Sequence, residues 1–416
     1  MLLSDCRDSY KFQTQEIDSK MIRTTFSYSN SHHAHFLLRD VLMALAVFTL
    51  SCSTSTSSAT PLESNNDMHK PPAVYIFGDS LVDAGNVNYI VNLYRNNRFP
   101  NGIDFPRGKR YTGRFCNGRT VVDIIGEELG VKDYIPPSLD PTTVGDVVLR
   151  GVNYACGGAG IFNDTGAIFG NRINMDAQID NFAKTRDYII SSLGGGGSKK
   201  FLEKALLAIV IGSNDFIDNY FTPILSIPKQ KLESPEHFVN SMISKFRTQL
   251  TRLYALDARK IIVANVGPVG CVPVERALNL KSWRHTKGGD SCTTAMNDAT
   301  KLFNKKLKSL IIELNSNLAG SKYVYLDSYK VLYHIIDNYQ SYGFEDFKNG
   351  CFKLLADPTL GLASPTPLIC KDRSKYVFWD DAHPTEATYA IFAKNVLDDH
   401  DSTYTYPMNV RQLYYS

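Results

Sequence analysis

The stretch Ala73-Val-Tyr-Ile-Phe-Gly-Asp-Ser-Leu81 contains a short apolar run that ends in a glycine, followed by an aspartate and a serine. A run of this length is typical of a β-strand that is covered on both faces. Glycine permits a sharp exit from the strand, so Ser80 would present its hydroxyl at the mouth of a sheet. An isolated Gly-Asp-Ser is more typical of a serine that caps the next helix, so this motif alone does not identify a nucleophile.

Further short apolar runs follow, and amphipathic stretches separate them. The runs predict strands at residues 151–155, 206–211, 261–266 and 323–326. The amphipathic stretches predict helices at residues 121–129, 175–193, 235–256, 293–318, 329–339 and 384–397. Alternation of this kind predicts an α/β fold with a parallel, doubly wound sheet of about five strands. In that architecture ligands bind beyond the carboxyl ends of the strands.

Polar residues at two more places complete a chemical pattern. The third run leads into Gly-Ser-Asn-Asp, where the amide of Asn214 would donate to a developing oxyanion, although Gly-x-Asn-Asp is also an ordinary turn. Far downstream, Trp-Asp-Asp-Ala-His-Pro places Asp380 three residues before His383. One turn can then set the carboxylate against one ring nitrogen while the other nitrogen faces Ser80, as a general base with an orienting partner requires.

These residues lie in sequence blocks that resemble those of the plant-type GDSL esterase/lipases, a branch of the SGNH hydrolases. The similar blocks are Phe77-Gly-Asp-Ser-Leu-Val-Asp-Ala-Gly-Asn86, Gly151-Val-Asn-Tyr-Ala-Cys-Gly-Gly-Ala-Gly-Ile161, Ile211-Gly-Ser-Asn-Asp215, Gly267-Pro-Val-Gly-Cys-Val-Pro273 and Phe378-Trp-Asp-Asp-Ala-His-Pro384. They occur in order between about residues 72 and 398. The resemblance implies a three-layer α/β/α, flavodoxin-like domain and a carboxylic ester hydrolase that needs neither a metal nor another cofactor.

The resemblance also implies a role for each site residue. Ser80 would be the nucleophile, His383 the general base and Asp380 its orienting partner. The oxyanion hole would combine the backbone N–H of Ser80, the side chain of Asn214 and a backbone N–H from the second block.

The second block leaves the choice of that glycine open. Gly160 is the glycine predicted here, with Gly157 and Gly158 as alternatives. Family members usually have serine where this chain has Cys156, so this block departs from the common pattern.

Composition excludes several classes of protein. The chain has 45 Lys and Arg against 42 Asp and Glu, a net charge of +3, which excludes a strongly basic nucleic-acid binder and an acidic disordered tail. No apolar run approaches the roughly 18 to 20 residues that span a bilayer, so integral membrane association is not expected. The chain lacks C-x-x-C, H-E-x-x-H, G-x-S-x-G and P-loop patterns, and the glycines at 194–197 are interpreted as a flexible surface loop.

The sequence predicts an N-terminal extension at residues 1–69, a single hydrolase domain at 70–400 and a C-terminal tail at 401–416. The apolar block Val41-Leu-Met-Ala-Leu-Ala-Val-Phe-Thr-Leu50 follows Arg39 and precedes small residues, which is typical of a secretory signal; a buried helix is the alternative. A start at Met21 would shorten the polar segment ahead of it. The signal predicts a secreted protein, and the resemblance implies the cell wall or apoplast.

Cysteine usage agrees with export. Without the extension, six cysteines remain: Cys116, Cys156, Cys271, Cys292, Cys351 and Cys370. Short intervening loops favour Cys271 with Cys292 and Cys351 with Cys370, while the other two either form a third disulfide or stay reduced and buried. Asn163-Asp-Thr is the only N-x-S/T sequence in the chain and predicts a glycosylation site.

The substrate is left at the level of an acyl ester. Transacylation by the same acyl-enzyme and deacetylation of polysaccharides are alternatives, and a non-catalytic binding protein on the same scaffold is a third. The loops at 86–115, 162–173 and 218–231 are expected to line the pocket. Their aromatic residues suit an acyl chain, a phenolic ring or a sugar face, or else anchor the loops to the core: Tyr89, Tyr94, Phe99, Tyr220 and Phe221.

Overall fold

The apolar runs of the sequence form the centre of a six-stranded sheet. The computed structural model describes residues 71–416 apart from residues 94, 107–111, 222–231, 282–291, 354–355, 358–361 and 364–367. The predicted N-terminal extension with its secretory signal therefore lies outside the described residues. Residues His69–Ser416 form one compact unit.

The strands and helices follow the predicted alternation. The strands are β1 (Val74–Gly78), β2 (Gly151–Asn153), β3 (Leu206–Val210), β4 (Lys260–Ala264), β5 (Lys322–Leu326), β6 (Asp346–Gly350), β7 (Phe352–Lys353), β8 (Ala356–Asp357), β9 (Leu362–Ala363), β10 (Leu368–Ile369), β11 (Tyr376–Phe378) and β12 (Thr405–Tyr406). The helices are α1 (Val121–Glu128), α2 (Met175–Lys204), α3 (Pro235–Ala255), α4 (Pro273–Lys281), α5 (Thr294–Asn317), α6 (Ser328–Asp337), α7 (Glu386–Leu397) and α8 (Val410–Tyr415).

The order of strands in the main sheet is β12-β5-β4-β3-β1-β2, in which β1 to β5 are parallel and β12 is antiparallel to β5. This is the flavodoxin-like order with one strand added at an edge, so the predicted fold class is confirmed. From β1 the chain first moves to β2 and then returns to β3 on the other side. The carboxyl ends of β1 and β3 therefore flank the switch point, where ligands bind in such sheets.

Each strand contributes alternate side chains to two apolar layers, because successive residues of a strand point to opposite faces. On one face, Tyr75 and Phe77 of β1 pack in the core formed with α2, α3 and α5. On the other face, Val74 and Ile76 pack in the core formed with α1, α6, α7 and α8. The sheet with helices on both faces is the expected three-layer α/β/α architecture.

Helix ends follow the chemistry of the sequence. Ser234 accepts a hydrogen bond from the backbone N–H of His237, and α3 begins at the proline between them, as predicted. Helix α7 begins at Glu386 rather than at Pro384, because Thr385 caps it and Pro384 forms a bridge with Phe378.

The glycine run at 194–197 does not form the predicted loop. It lies within α2, which consists of two helical segments joined by a kink at Gly194, the one residue of α2 with non-helical geometry (φ 70° and ψ 165°). The helix continues on both sides because its ends are buried, with Met175 and Ile179 before the run and Leu202 after it. Burial of these flanking residues outweighs the low helix propensity of glycine.

The last residues of the chain belong to the fold, which corrects the predicted boundary between a domain at 70–400 and a tail at 401–416. Residues Thr405–Tyr406 form β12 beside β5, and α8 buries Val410, Leu413 and Tyr414 completely. The reason is that the aromatic and aliphatic residues of this segment cover the edge and one face of the sheet.

The described part of the chain contains two disulfides, Cys271–Cys292 and Cys351–Cys370, which are the pairs that the short loops favour. Cys116 and Cys156 are buried and unpaired, so the alternative of a third disulfide is not realised. Over the described part of the chain, no helix has both the length and the apolar character needed to cross a membrane.

Candidate active site

Ser80 lies just after β1, where the chain turns sharply away from the sheet. A Cβ at Gly78 would lie 2.3 Å from the carbonyl oxygen of Val210, so only glycine permits this approach of β1 to β3. Gln178 of α2 forms two hydrogen bonds with the same glycine. Its Oε1 accepts from the Gly78 N–H at 2.8 Å, and its Nε2 donates to the Gly78 carbonyl at 2.8 Å. The half-buried Ser80 therefore sits on a rigid support.

His383 connects Ser80 to Asp380. Its Nε2 lies 2.8 Å from the Ser80 Oγ, and its Nδ1 lies 2.8 and 2.9 Å from the two carboxylate oxygens of Asp380. Asp380 Oδ1 also accepts from the backbone N–H groups of Ala382 and His383, which fixes the carboxylate within one turn. Because the carboxylate accepts the Nδ1 proton, Nε2 is left as the acceptor that faces the serine hydroxyl.

The pKa shifts of this pair favour a strong base. Burial lowers the pKa of His383, but the charge of Asp380 and its hydrogen bond outweigh burial and raise the pKa above 6.5. Burial raises the pKa of Asp380, yet the His383 charge and hydrogen bonds bring it below 3.8. The two shifts agree in sign, since each partner stabilises the charged form of the other.

The predicted oxyanion donors differ in whether their N–H groups already donate to an acceptor within the protein. Over the described residues, the backbone N–H groups of Ser80, Gly158 and Gly160 donate to no protein acceptor. The Gly157 N–H instead donates to the Asp83 carboxylate at 2.9 Å. Asn214 Nδ2 donates to the Ala159 carbonyl at 2.9 Å, which uses one of its two hydrogens.

Comparison with known proteins agrees with this site. Residues 74–396 match the model of the family described as GDSL-like lipase/acylhydrolase. This chain belongs to the GDSL family. A GDSL esterase/lipase of Arabidopsis thaliana is 51% identical over 346 residues, which cover 83% of this chain and 91% of the relative. Another from that plant is 43% identical over 359 residues, covering 85% and 91%.

A third relative, GDSL esterase/lipase 7 of Arabidopsis thaliana, is 39% identical over 349 residues, covering 83% of this chain and 93% of its own length. The relatives and the family model together make this GDSL protein a hydrolase of ester bonds. A non-catalytic binding protein on the same scaffold is therefore not the function.

Asp215 fixes the second block of this GDSL hydrolase beside Asn214. Its carboxylate accepts from the backbone N–H groups of Ile161 and Phe162 at 2.8 and 3.0 Å and from the Thr165 hydroxyl at 2.7 Å. A Cβ at Gly160 would lie 2.7 Å from the same carboxylate. The block therefore needs glycine there to pack against Asp215.

Two residues of the first block have a structural role that the sequence analysis missed. Asp83 accepts the Gly157 N–H, and Asn86 donates to the carbonyl oxygens of Asn153 and Ala155 at 2.7 and 2.9 Å. Both side chains are buried, so they hold the second block next to Ser80. The signal was present, since polar side chains within an apolar segment often bind backbone groups when buried.

Asp79 was also missed. It is buried, its Oδ1 accepts the Leu81 N–H at 3.0 Å, and among the described residues its Oδ2 has no hydrogen-bond partner. Burial raises the pKa of Asp79 to about 7, with the nearby His383 charge opposing the shift. Its negative charge also contributes to the raised pKa of His383.

Among the aromatic residues named above as candidates to line the pocket, none of the described ones lines the cavity beside Ser80. Tyr220 is buried and stacks on Phe238 with ring centroids 4.5 Å apart, so it anchors its segment to the core. Tyr89 and Phe99 are exposed, and Tyr94 lies outside the described residues. Phe115 packs on the imidazole of His383 instead, with ring centroids 5.0 Å apart.

In the described ranges, His, Cys, Asp and Glu side chains do not form a group of three or more suited to a metal ion. The arrangement of Ser80, His383 and Asp380 can transfer an acyl group with protein groups alone.

Proposed function

We propose that this GDSL hydrolase cleaves carboxylic esters through an acyl-Ser80 intermediate. The observation that supports the proposal is the continuous chain of contacts from the Ser80 Oγ through the His383 imidazole to the Asp380 carboxylate, each 2.8 Å at its shortest. In the proposal Ser80 is the nucleophile, His383 the general base and Asp380 the group that orients the base.

In the first step, the Ser80 oxygen forms a bond to the ester carbonyl carbon while its proton moves to Nε2 of His383. The carbonyl oxygen becomes an oxyanion, which accepts hydrogen bonds from the Ser80 N–H, the Asn214 amide and one N–H of the second block. Gly160 remains our assignment for that N–H. Since the Gly157 N–H already binds Asp83, Gly158 is the stronger alternative.

Collapse of the oxyanion breaks the bond to the alcohol, which leaves with the proton from His383. Water then attacks the acyl-Ser80 carbonyl while His383 accepts a proton from it, and the carboxylic acid departs as the proton returns to Ser80. The raised pKa of His383 suits the two steps in which it accepts a proton, from Ser80 and from water, because a stronger base removes a hydroxyl proton more readily.

Replacement of the nucleophile tests the proposal directly. Ser80→Ala should abolish hydrolysis of a short p-nitrophenyl ester and labelling by a fluorophosphonate probe, because the acceptor of the acyl group is removed. A circular dichroism melt that matches wild type would show that the fold is intact. Undiminished hydrolysis by the folded variant would refute the role of Ser80.

Replacement of Asn214 tests the oxyanion hole. Asn214→Ala should lower kcat about a hundredfold or more and change KM much less, because the amide binds the oxyanion more strongly than the carbonyl of the bound ester. Asn219→Ala is a suitable control, since this half-buried asparagine lies on the same segment and donates to Thr165. A change in KM alone for Asn214→Ala would make Asn214 a substrate contact instead.

We also propose that the protein is secreted and glycosylated at Asn163. The apolar block at residues 41–50, the two disulfides and the exposed position of Asn163 support the proposal. Expression in a plant secretory host should place the enzyme in the medium, and Asn163→Gln should remove a glycan mass detected by mass spectrometry. Retention in the cytosol would contradict the proposal.

A further inference from the structure

The two faces of the central sheet are not equally well packed. On the face toward α2, α3 and α5, Leu207 and Ile209 of β3 are 0% and 1% exposed. On the opposite face, Ala208 between them is 9% exposed although it lies in the middle of a central strand. Strand β4 repeats the contrast, with Ile261 at 0% and Ile262 at 6%. In β3 and β4 the residual exposure lies on this second face, which indicates a gap between these strands and the layer of α1, α6, α7 and α8.

This gap is a cavity of about 150 Å³ that reaches the candidate active site. At one end it is lined by Ser80, Asn214 and His383, and at the other by Val74 and Leu206, the first residues of β1 and β3. Because a strand rises about 3.3 Å per residue, the four steps of β1 from Val74 to Gly78 correspond to about 13 Å. The cavity is therefore a narrow passage that runs along the strands away from the nucleophile.

The walls of the passage are mostly aliphatic, with Ala208, Ile262, Ala264 and Leu326 contributed by the sheet and Leu129 and Val410 by the other side. Small side chains on two adjacent central strands, Ala208 and Ala264, leave the space that larger residues would fill. An apolar cavity of this volume lies at the size that binds a six-carbon ring.

Two of the polar side chains that line the passage are engaged within the protein, whereas Oδ2 of Asp79 has no hydrogen-bond partner among the described residues. Asn265 Nδ2 donates to the Tyr325 hydroxyl and to Asp327, and the Thr388 hydroxyl donates to the Val377 carbonyl at 2.7 Å. A sugar or glycerol placed against the aliphatic walls would leave its hydroxyl groups without partners, at a cost of about 2 kcal/mol or more for each. A hydrocarbon chain has no such cost.

We propose that this passage binds the acyl chain of the substrate and selects acyl groups of about six to eight carbons. The proposal rests on the proposed role of Ser80, whose acyl group would extend from the carbonyl carbon along β1 and β3. It makes the substrate class a medium-chain aliphatic ester, with the alcohol on the side of solvent.

The test compares kcat/KM for p-nitrophenyl octanoate and p-nitrophenyl acetate. Wild type should prefer octanoate, and Ala208→Leu should lower the octanoate-to-acetate ratio about tenfold or more, because the added side chain fills the passage. Ala319→Leu, the same substitution at an exposed position, should keep the wild-type ratio. Ala264→Val is the second variant should Ala208→Leu fail to fold, since valine suits a strand.

Each outcome bears on one proposal. A wild-type ratio in folded Ala208→Leu or Ala264→Val would overturn the acyl passage. A selective loss of activity of these variants on octyl acetate relative to ethyl acetate would also overturn the acyl passage, since the passage would then bind the alcohol. Hydrolysis that survives Ser80→Ala would refute the catalytic proposal itself. If Ser80→Ala is inactive and folded Ala208→Leu keeps the wild-type octanoate-to-acetate ratio, the passage alone is refuted.

Discussion

Asp380 shows how much one side chain contributes when the backbone has already placed it. Its Oδ1 accepts from two backbone N–H groups and from the His383 ring, so the carboxylate stays where it orients the imidazole. A neutral amide at this position would keep most of the shape but would not favour the Nδ1 proton of the neutral ring or the charge of the imidazolium.

We therefore expect Asp380→Asn to lower kcat by about a thousandfold or more with a smaller effect on KM. The kcat/KM of wild type should rise with pH through a midpoint above 6.5, because only neutral His383 accepts a proton and its pKa is raised. In Asp380→Asn the midpoint of the residual activity should move to lower pH. Asp381→Asn, an exposed carboxylate one residue away, should retain both kcat and midpoint.

At the scale of elements, α2 shows that a run of four glycines interrupts a helix at one residue only, since a second helical segment starts directly after the kink at Gly194. Four consecutive glycines lie inside it, yet only Gly194 adopts a left-handed φ, and no atom lies within 4 Å of a Cβ built at Gly194, Gly195 or Gly196. The helix persists because Ser198 and Leu202 beyond the run are buried against the protein.

This geometry predicts opposite effects of one substitution at two neighbouring sites. Gly196→Ala should raise the free energy of unfolding by about 0.5 to 1 kcal/mol, because alanine favours the helical conformation and meets no neighbour. Gly194→Ala should lower it by about 1 kcal/mol, because its φ is positive. Urea unfolding of both variants measures the difference, and equal shifts would show that the run is not helical.

Strand and helix positions were predictable because hydrophobic periodicity survives in a single sequence. Strands β1 and β3 and helices α1, α3 and α5 begin and end within a residue or two of the predicted ranges. Strand β12 was not predictable, since two residues carry no periodic signal. Its position depends on the free edge of β5, which exists only after the sheet has formed.

Several carboxyl groups of the molecule are buried in apolar surroundings. Burial raises the pKa of Asp79 to about 7 from an ordinary 3.8, and the pKa of His383 also lies above its ordinary value. Between pH 3.8 and about pH 7, Asp79 is protonated in the folded protein but ionised in the unfolded chain. Above pH 6.5 the folded protein likewise keeps His383 protonated to a higher pH than the unfolded chain does. Stability from both groups is therefore lost as pH rises through this window.

We expect a higher Tm at about pH 5 than at about pH 8, by about 3 °C or more. Asp79→Asn should reduce this difference, because the amide does not titrate. Asp372→Asn should leave it unchanged, since hydrogen bonds from Ser374 lower the pKa of Asp372 and its effect falls below this window. Differential scanning calorimetry measures each Tm, and a Tm that rises from about pH 5 to about pH 8 would contradict the expectation.

The local sequence sufficed for the strand runs, the capping residues and the blocks around Ser80, Asn214 and His383, because each depends on neighbours along the chain. The contact between Ser80 and His383 joins residues 303 positions apart, and its length depends on how β1 and α7 pack on one sheet. The passage beside Ala208 has the same origin, since a gap between layers is a property of their packing and leaves no periodic trace in the sequence.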